Sequence, residues 1–364
     1  MLIGIDTSRT TKPRLTGTEY YSIEIIKALA KLDDRDKFLL YAQFDPSKRL
    51  GKLGPNFATK IMPFPKLWSQ VRLSFEMLTH KPDVLFVPSH TVPIIHPQNT
   101  VVTLHDLGFK HFPDLYSSKE ILYHNWSMNY SAEHAKRIIT PSEFTKKDLM
   151  KTYSIDPTKI SVVWHGYNEN KFKPNPEAQR KPYLFYIGRL EEKKNIVNMI
   201  KAYALLRKEQ SIKHQFILAG SPGFGYENIE KEIKNLPAEI QKDIIQLGYV
   251  PEEEYIKYLQ EADIFFFCTN FEGFGMPIIE AMACDTPVVT SNVTSMPEIA
   301  GDAAMLASPK KPLEMAAALS RIIHSAKLRE NLVNKGRERV KLFSWAKSAE
   351  KTLSVILDCA NSKE

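Results

Sequence analysis

Short apolar runs alternate along the chain with longer stretches in which apolar residues recur every three or four positions. Runs of the first kind are typical of buried β-strands, and stretches of the second kind are typical of amphipathic helices. Regular alternation of the two indicates parallel sheets whose strands are connected by helices. The pattern therefore predicts an α/β protein with doubly wound sheets.

The predicted strands fall into two series. The first series lies at 2–6, 38–42, 84–87, 100–104, 137–140 and 160–163. The second series lies at 183–187, 215–219, 244–247, 263–268 and 287–290. Helices are predicted between the strands, including one at 20–32 and one that begins after Ser142, a favourable N-cap residue.

Residues 173–182 join the two series. The stretch contains three prolines and lacks apolar periodicity, which indicates a linker. A chain of 364 residues also exceeds what one ordinary core supports. We therefore predict an N-terminal Rossmann-like domain at 1–175 and a C-terminal one at 176–344.

Composition is that of a folded globular protein. Apolar residues make up 43% and charged residues 25%, which excludes disordered, collagen-like and disulfide-scaffold proteins. The three cysteines are scattered, so neither a disulfide framework nor a CxxC metal site is expected, and a reducing compartment such as the cytoplasm is favoured. Neither a signal-peptide pattern nor an apolar run of about 18 residues occurs, so no spanning helix is expected.

The net charge of +7 is unevenly distributed. Residues 1–175 hold 24 lysines and arginines against 17 aspartates and glutamates, whereas residues 176–364 hold 25 of each. The excess in the first half suggests an acidic partner such as an anionic membrane leaflet, a phosphorylated substrate or nucleic acid, although ordinary surface lysines would explain it as well. No nucleic-acid-binding motif or aromatic stacking platform accompanies the excess, so we expect no nucleic-acid partner.

The loops after predicted strands are the first places to search, because ligands of doubly wound sheets bind beyond the carboxyl ends of the strands. Gly188 and Arg189 directly follow the strand 183–187, and Lys194 lies just before the next helix. Arginine, lysine and the N–H groups of a helix N-terminus together favour phosphate oxygens. A solvated turn before a basic helix would have the same composition, so this loop alone leaves both interpretations open.

A second such loop follows the predicted strand 263–268. Its glycines, Gly273 and Gly275, precede a helix and would let the backbone approach a ligand closely. Glu272 lies in this loop, and Glu280 lies inside the helix on a face otherwise made of apolar residues. A carboxylate in an apolar stretch needs a partner, which either ligand hydroxyls or a structural salt bridge would provide.

The N-terminal half offers two further candidates. His105 follows the fourth predicted strand and is either an acid, base or hydrogen-bond donor or a satisfied structural histidine. Gly17 lies in the first strand–helix loop, where a glycine would open the backbone to a ligand. The same loop contains the cations Arg9, Lys12 and Arg14.

The sequence gives little indication of a metal site or of the common nucleotide-binding motifs. Asp34-Arg35-Asp36 matches the Asp-x-Asp pattern that chelates Mg²⁺ or Mn²⁺ in another transferase architecture, but acidic residues are routine in such turns. Neither a GxGxxG fingerprint nor a GxxxxGK[ST] loop occurs, which disfavours NAD enzymes and P-loop NTPases. We therefore expect no metal and no cofactor.

Three segments together resemble the retaining glycosyltransferases of family 4, which have the GT-B fold. They are Gly188-Arg189-Leu190 with Lys194-Asn195, Glu272-Gly273-Phe274-Gly275-Met276-Pro277 with Glu280, and the segment 295–304, which is similar to that of bacterial mannosyltransferases. The resemblance implies two Rossmann-like domains facing each other across a cleft. It further implies a GDP- or UDP-linked sugar donor on the C-terminal domain and a final helix, 345–364, that packs back on the N-terminal domain.

The resemblance also implies a role for each candidate. Arg189 and Lys194 would bind the donor diphosphate, Glu280 would bind the ribose hydroxyls, and Glu272 would contact the transferred sugar near its reacting carbon. The loop at Gly17 would close over the diphosphate. The remaining contacts with the sugar and phosphates would come from His105, Asp106, Gly273, Phe274, Gly275, Met276 and Pro277. Transfer would proceed with retention of anomeric configuration to a saccharide or lipid-linked acceptor.

Two features depart from the family. His165-Gly166-Tyr167-Asn168 stands where members often have Asn-Gly-Val-Asp, so this loop receives no role. The acceptor-binding loops match no pattern, which leaves the acceptor open. Two other functions therefore remain: a UDP-N-acetylglucosamine 2-epimerase-like enzyme, which shares the fold, and a nucleotide-sugar-binding module without catalysis.

Residues 66–78 carry apolar side chains at helical spacing beside Lys66 and Arg72. The apolar residues are Leu67, Trp68, Val71, Phe75 and Leu78. Such a helix could lie on an anionic membrane, where lipid-linked acceptors reside, or could face the core of the domain. A membrane contact would put the protein at the inner face of the plasma membrane.

Overall fold

A computed structural model describes residues 1–12, 15–32, 35–210 and 212–362. The chain forms two compact units. One unit comprises Met1–Gly166 with Ser344–Glu364, and the other comprises Tyr167–Phe343. No helix in the described ranges is both long and apolar enough to cross a bilayer.

The first unit contains a parallel seven-stranded sheet. Its strand order is β3-β2-β1-β4-β5-β6-β7. The strands are β1 (Leu2–Asp6), β2 (Lys37–Ala42), β3 (Phe57–Ile61), β4 (Val84–Val87), β5 (Thr100–Thr103), β6 (Arg137–Thr140) and β7 (Ile160–Val162). The helices are α1 (Gly17–Leu32), α2 (Ser47–Leu50), α3 (Ser74–Thr79), α4 (Gly108–His111), α5 (Ser118–His134) and α6 (Glu143–Tyr153), with a π-helical turn at Ser69–Leu73 before α3.

The second unit contains a parallel six-stranded sheet of order β10-β9-β8-β11-β12-β13. The strands are β8 (Lys181–Ile187), β9 (Gln215–Ala219), β10 (Ile244–Gly248), β11 (Ala262–Phe267), β12 (Val288–Ser291) and β13 (Ala304–Ala307). The helices are α7 (Ile196–Glu209), α8 (Tyr226–Lys234), α9 (Ala238–Gln241), α10 (Glu252–Glu261), α11 (Met276–Ala283), α12 (Met296–Ala300), α13 (Pro312–Ile323) and α14 (Ala326–Val340). The predicted α/β class with doubly wound parallel sheets is confirmed in both units.

The sequence pattern predicts neither β3 nor β13. Both lie at the edge of their sheets, and only one residue of β13 and none of β3 is fully buried. An edge strand therefore lacks the continuous apolar run that marks a central parallel strand. β3 is fixed instead by a cross-strand contact, in which the rings of Phe38 and Phe57 stack with centroids 4.3 Å apart.

The boundary between the units lies after Gly166 and not at the predicted residue 175. Phe172 is buried and packs edge-on against Tyr255, with ring centroids 5.5 Å apart. Lys171 also pairs with Glu252. Apolar packing at Phe172 therefore binds the residues just before the predicted linker to the second unit, which a composition argument does not detect.

The last helix, α15 (Trp345–Asn361), belongs to the first unit. It packs against α1 and against the strands β4, β5 and β6. Its buried face includes Leu353, Ile356 and Cys359. The chain thus completes the core of its first unit with its final helix.

Residues 66–78 do not form the regular core-facing helix that the spacing allows. Of the five apolar residues considered, Trp68 is buried, and its indole N–H donates to the carbonyl oxygen of Met62 at 2.7 Å. The other four are between 47% and 65% exposed: Leu67, Val71, Phe75 and Leu78. The core-facing interpretation is therefore wrong for these four side chains.

Candidate active site

Strand order puts the candidate loops at a favourable point of each sheet. In the second unit β8 has β9 on one side and β11 on the other, so the connection after β8 runs toward β9 and the connection after β11 runs the opposite way, toward β12. The loops after β8 and β11 diverge there, and doubly wound sheets bind ligands at this point. β1 has the same position in the first unit, between β2 and β4.

Two glycines and an asparagine fix the loop after β8. Gly188 and Gly220 have φ angles of +147° and +140°, and a Cβ on Gly220 would lie 1.9 Å from the Gly188 carbonyl oxygen. The side-chain amide of Asn195 donates to the carbonyl oxygens of Cys268, at 2.9 Å, and Pro309, at 2.8 Å. Since Cys268 follows β11, these bonds fasten the two loops together.

Fastening the loops brings Lys194 and Glu272 into an ion pair. Their side chains are only 15% and 16% exposed, so solvent screens the pair weakly. The Arg189 side chain is 66% exposed, and its Nε lies 3.6 Å from a carboxylate oxygen of Glu191. The structure therefore joins two predicted site residues of opposite charge and leaves the guanidinium of Arg189 accessible.

Ser295 and a left-handed glycine shape the loop after β11. The Ser295 hydroxyl lies 2.9 Å from the carbonyl oxygen of Glu272 and 3.0 Å from that of Phe274. Gly275 has a φ of +102°, and a Cβ there would lie 2.5 Å from the methyl carbon of Met296. α11 begins directly afterwards, and the positive end of its dipole favours an anion beside this loop. Pro277 has no N–H and the N–H of Ile278 donates to the carbonyl oxygen of Gly275 at 3.0 Å, which leaves the N–H of Met276 in the first turn for a ligand. This segment contains the five residues that the resemblance assigns to contacts with the donor sugar and phosphates: Gly273, Phe274, Gly275, Met276 and Pro277.

Glu280 is buried inside α11, with 7% of its surface exposed. The hydroxyl of Tyr255, on α10, donates to Glu280 Oε2 at 2.6 Å. Burial raises the pKa of Glu280 to about 7, the Tyr255 hydrogen bond opposes this rise, and the charge of Glu252 adds to it. The sequence predicts that the Glu280 carboxylate has a polar partner. That partner is Tyr255, which lies 25 residues earlier on another helix, so the spacing of residues within α11 does not identify it.

In the first unit, His105 lies buried at the end of β5. Its Nε2 is 3.0 Å from the carbonyl oxygen of Pro88, which only accepts, so Nε2 carries the proton and Nδ1 keeps a lone pair. Burial lowers the pKa of His105, which keeps the imidazole neutral at pH 7. The ring of Tyr21 packs edge-on against it at 4.7 Å, and that of His165 lies at 5.5 Å.

His90 is a site residue to which the sequence assigns no role. The backbone N–H of His105 donates to His90 Nδ1 at 3.4 Å, which leaves the proton of the neutral ring on Nε2. Burial lowers the pKa of His90 to about 3. Asp106 Oδ1 accepts from the N–H of Gly108, the first residue of α4, at 2.8 Å.

Gly17 is the first residue of α1, at the end of the loop that follows β1. Glu19 Oε2 accepts from the N–H of Thr16 at 3.0 Å, and Arg9 lies 3.4 Å from the other carboxylate oxygen. A Cβ on Gly17 would meet no atom of the described residues within 4 Å, so these residues leave a ligand room to approach the backbone here. Arg14, a cation predicted for the same loop, lies outside the described residues.

The loop at Gly166, left without a role by the sequence, is a packing site. A Cβ on Gly166 would lie 2.1 Å from the backbone nitrogen of Trp345 and 2.6 Å from the carbonyl carbon of Ser344. The ring of His165 stacks on that of Trp345 with centroids 5.9 Å apart. Glycine is therefore needed here because two backbone segments touch.

No group of three or more His, Cys, Asp or Glu side chains in the described ranges could hold a metal ion. Asp34, the first residue of the Asp-x-Asp pattern, lies outside those ranges. Asp36, the last residue of the pattern, pairs with the N-terminal ammonium group at 2.6 Å. This contact gives Asp36 a structural role in the turn before β2.

Two family models match consecutive parts of the chain. The model described as Glycosyltransferase Family 4 matches residues 15–171, and the model described as Glycosyl transferases group 1 matches residues 168–339. The chain belongs to the glycosyltransferases of family 4. Its two parallel sheets are the Rossmann-like domains of the GT-B fold.

This glycosyltransferase is similar to curated mannosyltransferases. It is 28% identical to O-antigen chain mannosyltransferase B of Escherichia coli, over 93% of this chain and 95% of that protein. It is 25% identical to O-antigen chain mannosyltransferase RfbU of Salmonella typhimurium, over 81% of this chain and 83% of that protein.

Solved structures share the fold of this glycosyltransferase. A sucrose-phosphate synthase from Thermosynechococcus elongatus superposes with a TM-score of 0.78 at 19% identity, over 98% of each chain. HepE of Anabaena, in complex with UDP and glucose, superposes with a TM-score of 0.74 at 17% identity, over 98% of this chain and 100% of that one. At these identities the likeness concerns the fold.

Proposed function

We propose that this glycosyltransferase moves a hexose, mannose from GDP-mannose, to a saccharide or lipid-linked acceptor with retention of anomeric configuration and without a metal ion. The observation that carries the proposal is the Lys194–Glu272 pair, held at the ends of β8 and β11 beside the N-terminus of α11. A UDP-linked hexose is the alternative donor. The mannosyltransferase names of two relatives support mannose, and their O-antigen names support a role in surface polysaccharide synthesis.

The proposed reaction first requires that the negative charge on the leaving diphosphate be stabilised. The exposed guanidinium of Arg189 and the ammonium of Lys194 would bind its oxygens, and the positive end of the α11 dipole would add to them. The loop at Gly17 has open space above its backbone, which suits a phosphate. These groups would stabilise the transition state in place of a metal ion.

In the proposed reaction the acceptor hydroxyl attacks the anomeric carbon from the face that the diphosphate leaves, and a phosphate oxygen takes its proton. Glu272 would lie near the reacting carbon and stabilise its developing positive charge. His105 would accept a hydrogen bond from a sugar hydroxyl at Nδ1, the nitrogen that Pro88 leaves available. Glu280 would accept hydrogen bonds from the ribose hydroxyls.

Thermal-shift measurements with GDP, UDP, ADP and dTDP, with and without EDTA, test the donor class, because a ligand of the folded state raises the melting temperature. We expect a rise with GDP that EDTA does not change. The matching sugar nucleotide is then assayed with saccharide and lipid-linked acceptors, and the anomeric configuration of the product is measured by NMR. An inverted product, or a reaction that EDTA abolishes, would contradict the proposal.

The same assay separates the other two functions. An epimerase-like enzyme would convert its sugar nucleotide without any acceptor, and a binding module would bind the nucleotide without turnover. We favour transfer because the reaction needs a cation, a carboxylate and a neutral hydrogen-bond acceptor, and Lys194, Glu272 and His105 offer them.

We also propose that the first unit contacts an anionic membrane surface. The exposed side chains of Val71, Phe75 and Leu78 form a stripe on α3 and the turn before it. The N–H of Ile95 donates to Ser74 Oγ at 3.2 Å, which brings two exposed isoleucines, Ile94 and Ile95, beside that stripe. A large apolar surface of this kind marks an interaction site.

Aromatic side chains of α5 extend the same surface. The Tyr130 hydroxyl donates to the carbonyl oxygen of Ile94 at 2.7 Å, and the ring of Trp126, exposed at the surface, stacks on Tyr130. Tryptophan and tyrosine favour the interface between lipid and water. The first unit also holds 25 lysines and arginines against 19 aspartates and glutamates, so its charge favours anionic lipid.

Flotation with vesicles of phosphatidylcholine alone or with phosphatidylglycerol tests this contact. We expect binding to the anionic vesicles only, and a loss of binding in the double variant Phe75→Ser, Leu78→Ser. Leu313→Ser serves as the control, since Leu313 is as exposed as Leu78 but lies in the second unit. Absence of binding to anionic vesicles, or equal loss in the control, would contradict the proposal.

A further inference from the structure

Tyr255 is the buried hydrogen-bond donor to Glu280. Its hydroxyl oxygen lies 2.6 Å from Glu280 Oε2, and neither residue is appreciably exposed. A phenol at this distance from a carboxylate is a charge-assisted donor, which favours the ionised form of the acid. The bond uses Oε2 and leaves Oε1 for other donors.

Packing holds the Tyr255 ring in place. Phe172 contacts it edge-on with ring centroids 5.5 Å apart, and the ring of Phe185 lies tilted against it at 6.2 Å. Both neighbours are buried aromatic residues of the second unit. A ring held in this way keeps its hydroxyl in a fixed direction, so the orientation of the carboxyl group is also fixed.

Other charged and titratable groups near Glu280 do not replace this bond. Glu252, on α10, raises the pKa of Glu280, and Cys284, in the same stretch as α11, is itself influenced by Glu280. On α14, which packs against α11, Arg337 pairs with Asp285 and Arg339 binds backbone carbonyl oxygens. In the described part of the chain Glu280 forms no ion pair.

We propose that Tyr255 is a positioning residue for the donor: its hydroxyl, bonded to Oε2, fixes the orientation of the Glu280 carboxyl group and leaves Oε1 to accept from the ribose hydroxyls. The proposal rests on the ribose role of Glu280 in the proposed function. It adds that nucleotide affinity depends on the protonation of this carboxyl group, because an ionised carboxylate accepts hydroxyl hydrogen bonds better than a neutral acid does.

The sign of the pH effect follows from the chemistry. Affinity is full above the pKa of Glu280 and falls as the pH is lowered through it. Tyr255→Phe removes a donor that favours the carboxylate, so the pKa rises and the fall in affinity moves to higher pH. A rise of about one unit would weaken binding about tenfold at pH 6 and leave it nearly unchanged at pH 9.

The experiment is titration calorimetry of the full chain with GDP and with UDP from pH 6 to pH 9. Both nucleotides are used because they share the ribose. The variants are Tyr255→Phe, Glu280→Gln and the control Tyr258→Phe, which removes a phenol hydroxyl from the same helix while its ring stacks on Phe185. The Glu280→Gln curve contains the titration of the nucleotide itself, so subtracting it isolates the contribution of Glu280.

We expect the Tyr255→Phe profile to move to higher pH, the Tyr258→Phe profile to match wild type, and Glu280→Gln to bind weakly at every pH, with only the pH dependence of the nucleotide itself. Coincident profiles for Tyr255→Phe and wild type, with Glu280→Gln weakened, would overturn the role of Tyr255 and leave the ribose role intact. Unchanged affinity in Glu280→Gln would instead overturn the ribose role. The wild-type measurement does not depend on whether any variant folds. If the wild-type affinity did not change with pH beyond the titration of the nucleotide itself, the proposal would also be overturned.

Discussion

The ammonium group of Lys194 contacts the carboxylate of Glu272, although 78 residues separate them in the chain. Both side chains are largely buried, and their attraction offsets the loss of water around each charge. A donor diphosphate would offer Lys194 a stronger anion. Glu272 would then be released toward the sugar, so donor binding would exchange one ion pair for another.

Glu272→Gln is therefore expected to bind GDP severalfold more tightly while turnover falls on the order of 100-fold or more. The amide no longer competes for Lys194, but the charge near the reacting carbon is lost. Calorimetry measures the first effect and initial rates the second. Glu338→Gln, at an exposed ion pair on α14, should change neither. Weaker GDP binding in Glu272→Gln would show that the two groups do not compete.

Glu280→Ala and His105→Ala are expected to affect different constants. The first removes the acceptor for the ribose hydroxyls and should weaken nucleotide binding about tenfold, as expected for about 1.4 kcal/mol of hydrogen bonding. His105→Ala removes a neutral imidazole that would accept a hydrogen bond from the donor sugar, so it should lower mainly turnover.

Calorimetry and steady-state kinetics separate the two effects. His111→Ala is the control for His105→Ala, because His111 pairs with Asp148 in an exposed position of the first unit. If Glu280→Ala retained wild-type nucleotide affinity, the ribose role would be wrong.

Glu280→Gln is expected to stabilise the free protein above pH 7. Burial raises the pKa of Glu280 from its ordinary value of 4.5 to about 7. The folded state therefore favours the protonated acid, and the stability that this gives is full below pH 4.5 and is lost as the pH rises through 7. Glutamine is neutral at every pH and still accepts the Tyr255 hydrogen bond.

Urea denaturation at pH 5 and pH 8 measures this difference. The variant should gain up to about 3 kcal/mol over wild type on going from the lower to the higher pH. Equal pH dependence in both proteins would mean that the carboxyl group is not buried in the free enzyme.

Gly166→Ala and Gly17→Ala are expected to differ sharply in stability. An alanine methyl at 166 would lie 2.1 Å from the backbone nitrogen of Trp345, and backbone cannot yield as a side chain can. We expect a loss of about 3 kcal/mol in the free energy of unfolding. At Gly17 the methyl meets no atom within 4 Å in the part of the chain that the structure describes.

Gly17→Ala should therefore unfold like wild type, yet weaken GDP binding if the diphosphate approaches this backbone. Denaturation curves and calorimetry measure the two properties. A stable Gly166→Ala variant would show that α15 shifts to accommodate the methyl group.

Much of the fold follows from the sequence because burial on both faces leaves continuous apolar runs in central strands. β8 and β11 have such runs, and the polar and glycine residues after them mark where a ligand would bind. Length and the return of the strand pattern predict two domains. The motifs around Arg189, Lys194 and Glu272 indicate the family because several specific segments coincide.

Tertiary structure alone decides what depends on long-range pairing or on exposure. Strand order, the edge strands β3 and β13, and the boundary at Gly166 arise from contacts that local periodicity does not encode. The partner of Glu280 comes from another helix, and helical spacing at 66–78 cannot distinguish a side chain that faces the core from one that faces solvent. Periodicity records which residues share a face of one element, whereas the fold determines what that face meets.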